Sequence, residues 1–333
     1  MLDLITGAYV LYGQALSDIR SELSTAERRL TDETLASMTA LYMYEMLVSK
    51  TERAWMSHAS GIGLLLQLRG PSLHKPADMK GIFLEHRIML VGKSIISLQP
   101  TFLRDPIWKT VPWEDNPVSK SEIDYLVDIG ADISQYNSDF QGLVGYHSQE
   151  PKYLQLVDQV ANSIEELNTW WRKWETEHPY AATEVTSTAN TPLFPTILEY
   201  NTLWEAFTIC FHNAIRILLL QLWDVLKPFS TFHPVTLNEQ NFTALLGISS
   251  DIRRLACEIL RSLRYSYRMS RRFVYTFSFL VISDVTYGCF DRESSEARWI
   301  SEHGWAELQS LDDIEDANLL QVLIPLGRIK IGQ

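Results

Sequence analysis

Asn201, Glu205, Thr208, His212 and Arg216 follow one another at steps of four, three, four and four within ILEYNTLWEAFTICFHNAIRILLLQLWDVLK, residues 197–227. On a helix these positions share one face, while Leu198, Trp204, Phe207, Phe211, Leu218 and Leu222 cover most of the remaining circumference. An amide, a carboxylate, an imidazole and a guanidinium on so apolar a helix are costly to bury unless they meet one another, a metal ion or a charged ligand. The stripe is therefore expected to be the polar wall of a cavity, or else a buried network or a face turned to solvent. Asp284 poses the same problem inside the apolar run Phe277-Ser-Phe-Leu-Val-Ile-Ser-Asp-Val285. Such a carboxylate must line a functional cavity or pair with a buried cation such as Arg272.

The elements that would position these groups read as helices almost throughout. Apolar periodicity predicts helices over 2–23, 34–48 behind a cap at Thr31, 52–68, 80–98, 119–136 and 152–176, the last carrying Trp170, Trp171 and Trp174. Arg69-Gly70-Pro71 terminates the third of them. Residues 177–196, with three prolines and many threonines, are expected to form a linker or loop. Beyond the central helix, helices are expected over 238–247, 249–269, 271–290, 294–309 and 312–324. No alternating strand pattern and no internal repeat is found. The expected fold is all-α, one helical domain over 1–333, an orthogonal or antiparallel bundle around the helix 197–227.

Composition bounds the function. The chain has 333 residues, 46% hydrophobic and 21% charged, the balance of a soluble globular protein with a sizeable core. A net charge of -12 and a pI near 5.2, with no basic cluster, make it a poor binder of nucleic acid, although the acidity suits divalent cations. Cys210, Cys257 and Cys289 form no CxxC pair, so neither a zinc site nor a disulfide framework is expected. The apolar runs are expected to fall short of a membrane span, and no signal peptide opens the chain, which points to the cytosol or nucleus. No HExxH, GxSxG elbow or dinucleotide fingerprint occurs.

A series of short pieces resembles the regulatory, or middle homology, domain of fungal zinc-cluster transcription factors. They are Leu41-Tyr-Met-Tyr-Glu45, Trp55, His58, Arg69-Gly70-Pro71, Pro100-Thr-Phe-Leu103, Trp108, Pro112-Trp113 and Glu296-Ala-Arg298-Trp299. Their order and spacing match that family from about residue 8 onward. The family's six-cysteine DNA-binding cluster has no counterpart among these residues. The resemblance implies an effector-binding and dimerisation domain, a homodimer and a nuclear location. A second resemblance, resting on the missing DNA-binding segment and on the residues named below, is to the unconventional fungal humulene synthases, which lack ordinary terpene-cyclase sequence similarity.

That second resemblance implies magnesium-dependent cyclisation of farnesyl diphosphate to a humulene-like hydrocarbon, which is the function expected, with the effector-binding and dimerisation domain as the alternative. Asn201, Glu205 and Asp284 would be the catalytic metal ligands, since magnesium takes hard oxygen donors. Arg87, Lys93 and Arg216 would clamp the diphosphate, with His212 beside them. Trp204, Phe207, Phe211, Phe277 and Tyr287 would present ring faces to a carbocation. The acidic run Asp312-Asp-Ile-Glu-Asp316 is expected to be a chance match at a helix start, and Asp124, Asp128 and Asp132 a solvated helical face.

Overall fold

Single residues start and stop the helices. The Thr31 hydroxyl accepts from the Thr34 amide at 3.3 Å and so caps the second helix. Gly70, at φ 76° and ψ 161°, takes a positive-φ extended backbone open essentially to glycine alone, which ends the third, and Pro71 prevents its continuation. The computed structural model describes residues 2–48, 52–143, 150–187, 193–230, 248–269 and 281–301. It is almost entirely helical, as the periodicity predicts. The helices are α1 (Leu2–Ser24), α2 (Asp32–Val48), α3 (Glu52–Arg69), α4 (Ala77–Ser97), α5 (Pro106–Thr110), α6 (Glu122–Leu143), α7 (Glu150–Glu177), α8 (Leu203–Ser230) and α9 (Ile248–Met269). A helical stretch at 281–287 and the short α10 (Ser295–Trp299) follow. The expected helices over 238–247 and 312–324, and the acidic run 312–316, lie outside the described residues.

Backbone contacts divide the chain into two compact units, the first comprising 1–93 and 102–120, the second 94–101 and 121–333. In the first, Arg69 ties α3 back to the start of α2 through the Leu30 carbonyl and the Asp32 carboxylate. His86 on α4 meets Thr39 on α2 at 2.8 Å. Since the Thr39 hydroxyl donates to the Leu35 carbonyl, His86 Nε2 must be the donor of that pair. Phe83 is the hub of an aromatic box, with His74 stacked at 5.0 Å and Trp108 and Trp113 at 5.8 and 6.2 Å. The Arg87 guanidinium lies 4.7 Å from the Trp113 ring centre, and is buried.

The second unit packs α6, α7, α8 and α9 about one another. Every residue of α8 from Glu205 to Ile215 is buried, so this helix does run through the middle of its unit. By length and composition Leu203–Leu226 could cross a membrane, contrary to the expectation from the sequence, but 72% of its 18-residue apolar window is buried inside the fold. Three further expectations are corrected. The central helix begins at Leu203, not Ile197, because residues 196–200 form a strand. That strand, β2 (Thr196–Tyr200), pairs antiparallel with β1 (Ala182–Thr186), from Ala182 opposite Tyr200 to Thr186 opposite Thr196. Part of the expected loop 177–196 is thus a hairpin, held to α9 by Arg261, which reaches Thr196 Oγ1 at 2.8 Å and Glu184 at 2.6 Å. The acidic face of α6 is not wholly solvated either: Asp124 is buried, its carboxylate accepting from the amide and hydroxyl of Ser121 at 3.0 and 2.8 Å.

Phe83→Ala should open a cavity at the hub of the first unit and cost about 3–5 kcal/mol, read as a lower urea midpoint at unchanged slope.

Candidate functional site

The polar stripe of α8 lies against α7, and the two helices run antiparallel with their aromatic rows facing. From α7 come Trp170 and Trp174, one turn apart, with His178 just past its end; from α8 come Trp204 and His212. Trp174 stacks on His178 with ring centres 3.9 Å apart and meets Trp204 at 5.1 Å. At the other end the His212 ring lies against Trp170 at 5.3 Å and Trp171 at 4.6 Å, near-parallel to the first. Trp170 anchors the seam to α6 by donating its indole N–H to the Glu122 carbonyl at 2.9 Å.

Each group of the predicted stripe can now be placed. Asn201 is exposed on the turn before α8, and its amide donates to the Tyr180 carbonyl at 2.8 Å. It therefore does not share a helical face with Glu205, because the helix that would put them one turn apart starts two residues later. Glu205 closes a capping arrangement with Thr202: the Thr202 hydroxyl donates to its carboxylate at 2.9 Å and accepts from its amide at 3.1 Å. His178 Nδ1 lies 3.9 Å from the same carboxylate.

His212 is buried and belongs to a directed chain of hydrogen bonds. Arg254 donates to Glu258 at 2.7 Å, and the Asn213 amide donates to the other oxygen of Glu258 at 3.2 Å. With its nitrogen so occupied, Asn213 offers Oδ1 to His212 Nδ1 at 3.0 Å. Nδ1 must then carry the proton, which leaves Nε2 as a bare acceptor. Burial, with a smaller contribution from Arg216, pushes the imidazole down to about 3, so it is neutral across the physiological range. Arg216 is half-buried and donates to Asn168 on α7 at 2.7 Å, with burial lowering its pKa.

Three buried atoms on this face have no hydrogen-bond partner among the described residues: Thr208 Oγ1, His212 Nε2 and Arg216 Nε. They stand at successive turns of α8, so they form a line. Buried polar atoms of folded proteins are satisfied in the large majority of cases, so three at successive turns set this face of α8 apart.

The other predicted residues are distributed as follows. Phe207 and Phe211 are buried and stack on each other at 5.5 Å. Asp284 is buried on the stretch 281–287, with Tyr287 half-buried one turn on. Arg87 and Lys93 belong to the first unit, where Arg87 sits in the aromatic box and Lys93 donates to Ser60 at 2.5 Å. The predicted diphosphate clamp is thus divided between the two units. Phe277 lies outside the described residues. Among the described residues no three His, Cys, Asp or Glu side chains gather as a metal site would require. The residues that orient the stripe, Trp170, Trp171, Asn168, Asn213 and Glu258, were not singled out as site residues by the sequence. The recurrence of 170, 174 and 178 at steps of four was the signal available for the tryptophan face.

No family model and no solved structure matches the chain. An uncharacterized protein of Emericella nidulans is 31% identical over 101 residues, which is 30% of this chain and 22% of that protein. The chain therefore spans about a fifth of the length of this curated relative.

His212, and in the first unit His74 and His86 at about 4, are neutral when folded but bind protons near 6.5 when unfolded. A depressed folded pKa means that the unfolded chain takes up more protons, so stability is full above pH 6.5 and is lost as pH falls toward 4. Urea midpoints measured between pH 7 and 4.5 should fall steeply, and His212→Phe should flatten that fall.

Proposed function

We propose that the second unit is the effector-binding module of a regulatory protein, with its ligand held between α7 and α8. The observation that carries this reading is the line of unmet polar atoms, Thr208 Oγ1, His212 Nε2 and Arg216 Nε, beside the stacked Trp170 and Trp171. A small molecule that meets those atoms removes a cost of about 1–3 kcal/mol for each. Its binding energy is thereby directed to the seam that holds the unit together. The resemblance of the dispersed motif pieces to zinc-cluster regulators supports the same reading.

Magnesium-dependent cyclisation of farnesyl diphosphate is the second reading, favoured by the two buried carboxylates Glu205 and Asp284 in one unit. The proposed metal set fits it poorly: Asn201 stands outside the helix with its amide engaged, and Glu205 caps α8.

The two readings separate in one pair of experiments on the purified chain. A thermal-shift screen of small metabolites should yield ligands that raise the melting temperature by several degrees, an effect lost in the double variant Thr208→Val, His212→Phe. Incubation with farnesyl diphosphate and magnesium should yield no hydrocarbon by gas chromatography. A sesquiterpene that vanishes with chelator and with Asp284→Ala would replace the effector reading by the cyclase.

A further inference from the structure

Gly63 decides how closely α3 and α4 meet in the first unit. A Cβ at that position would stand 3.0 Å from Leu90 Cδ2, so the missing side chain is what lets the two helices approach there. Ser60 lies about one turn before Gly63 on α3, and Lys93 about one turn after Leu90 on α4. The two meet, Lys93 Nζ donating to Ser60 Oγ at 2.5 Å. Other lysines of the chain are held by carboxylates, Lys75 by Glu114 at 2.6 Å and Lys173 by Glu177 at 3.8 Å. Among the described residues no carboxylate stands within ion-pair reach of Lys93, while its neighbours Leu90, Val91 and Ile95 are buried apolar side chains. Burial without a compensating charge lowers the pKa of this half-buried amine. A desolvated lysine of this kind is the nucleophilic form of the residue. The Ser60 hydroxyl suits it, because a hydroxyl accepts from the ammonium and donates to the lone pair of the free amine, whereas a carboxylate would hold the ammonium alone. Ser60 is exposed, so a solute reaches the pair from the surface.

We propose that Lys93 is a covalent site for an uncharged aldehyde, which it captures as an imine with Ser60 as the proton donor. The free Nζ attacks the carbonyl carbon, and the proton that nitrogen sheds passes to the carbonyl oxygen, giving a carbinolamine. Its hydroxyl takes a proton from Ser60 and leaves as water while the nitrogen lone pair closes the C=N bond, and Ser60 regains a proton from that nitrogen. Amine and aldehyde thus become imine and water, and no electrons are exchanged with a third partner. Acyl transfer fits the pair less well, since its oxyanion needs free donors and the amides around Ser60 lie in mid-helix, spent within α3. The apolar neighbours of Lys93 favour an aldehyde without charge. This site belongs to the first unit and is independent of the effector reading of the second.

The test treats the full chain with a limiting amount of butanal and cyanoborohydride at neutral pH, so that each imine is fixed as a secondary amine. Peptide mass spectrometry then follows the butyl group on each lysine with time. The expected result is that Lys93 is labelled severalfold faster than the more exposed, ion-paired Lys173. Ser60→Ala should slow Lys93 severalfold and leave Lys173 unchanged, and Ser60→Thr, which keeps a hydroxyl, should restore the rate. Labelling of Lys93 no faster than that of Lys173 would overturn the proposal, and so would an unchanged Lys93 rate in Ser60→Ala. Because the two lysines are compared within one unaltered chain, the result is decisive even if a variant folds poorly.

Discussion

The antiparallel contact of α7 with α8 is the interaction on which the second unit depends. Trp174 and His178 meet Trp204, and Trp170 and Trp171 meet His212, along it, and such ring pairs supply about 0.5–1.5 kcal/mol each beyond the area they bury. Trp174 is almost completely buried at the centre of that row. Rings of this size leave little freedom for the backbones to slide, so the register of the two helices is fixed by shape. The polar groups of α8 are then held where the rings put them. Asn168 is brought to Arg216, and Glu258 of α9 is brought to Asn213. The polar stripe is thus organised by aromatic packing, and its hydrogen bonds follow.

The first unit repeats this logic with different residues. Arg69-Gly70-Pro71, Trp108 and Pro112-Trp113, separate in the sequence, bear on one small region. Trp108 and Trp113 flank Phe83, and Pro71 opens the turn that carries His74 onto the same ring. Arg87 covers the Trp113 face from α4. Pieces that look independent along the chain are therefore parts of one box. Their spacing is a record of how much helix is needed to bring them together.

The sequence disclosed the helices well, because helix signals are local. Thr31 capped the helix it was expected to cap, and Gly70 ended the one it was expected to end. The hairpin was hidden for a physical reason. Strand β1 reads Ala-Thr-Glu-Val-Thr, and all of it but Val185 is exposed, so it carries no apolar alternation; it is supported by Arg261, which pairs with Glu184 from a helix far along the chain. Missing the hairpin moved the start of α8 and so moved Asn201 off the face assigned to it. The stripe from Glu205 to Arg216 was legible as a pattern, but its partners were not. Asn168, Asn213 and Glu258 are ordinary polar residues on helices until the fold brings them within hydrogen-bond reach. Whether Asp124 faced water could not be read from periodicity either, since its burial follows from a bond to Ser121 at the helix start.

Tyr200 occupies a particular position. It is the last residue of β2, it bonds the Ser262 hydroxyl of α9 at 2.5 Å, and α8 begins three residues later. The N-terminal end of α8 is in effect clamped to its neighbour. That clamp fixes where the 28-residue α8 enters the unit, while Asn168 and Glu258 hold it about three turns further on, so the entry point and the polar stripe are set by separate fastenings.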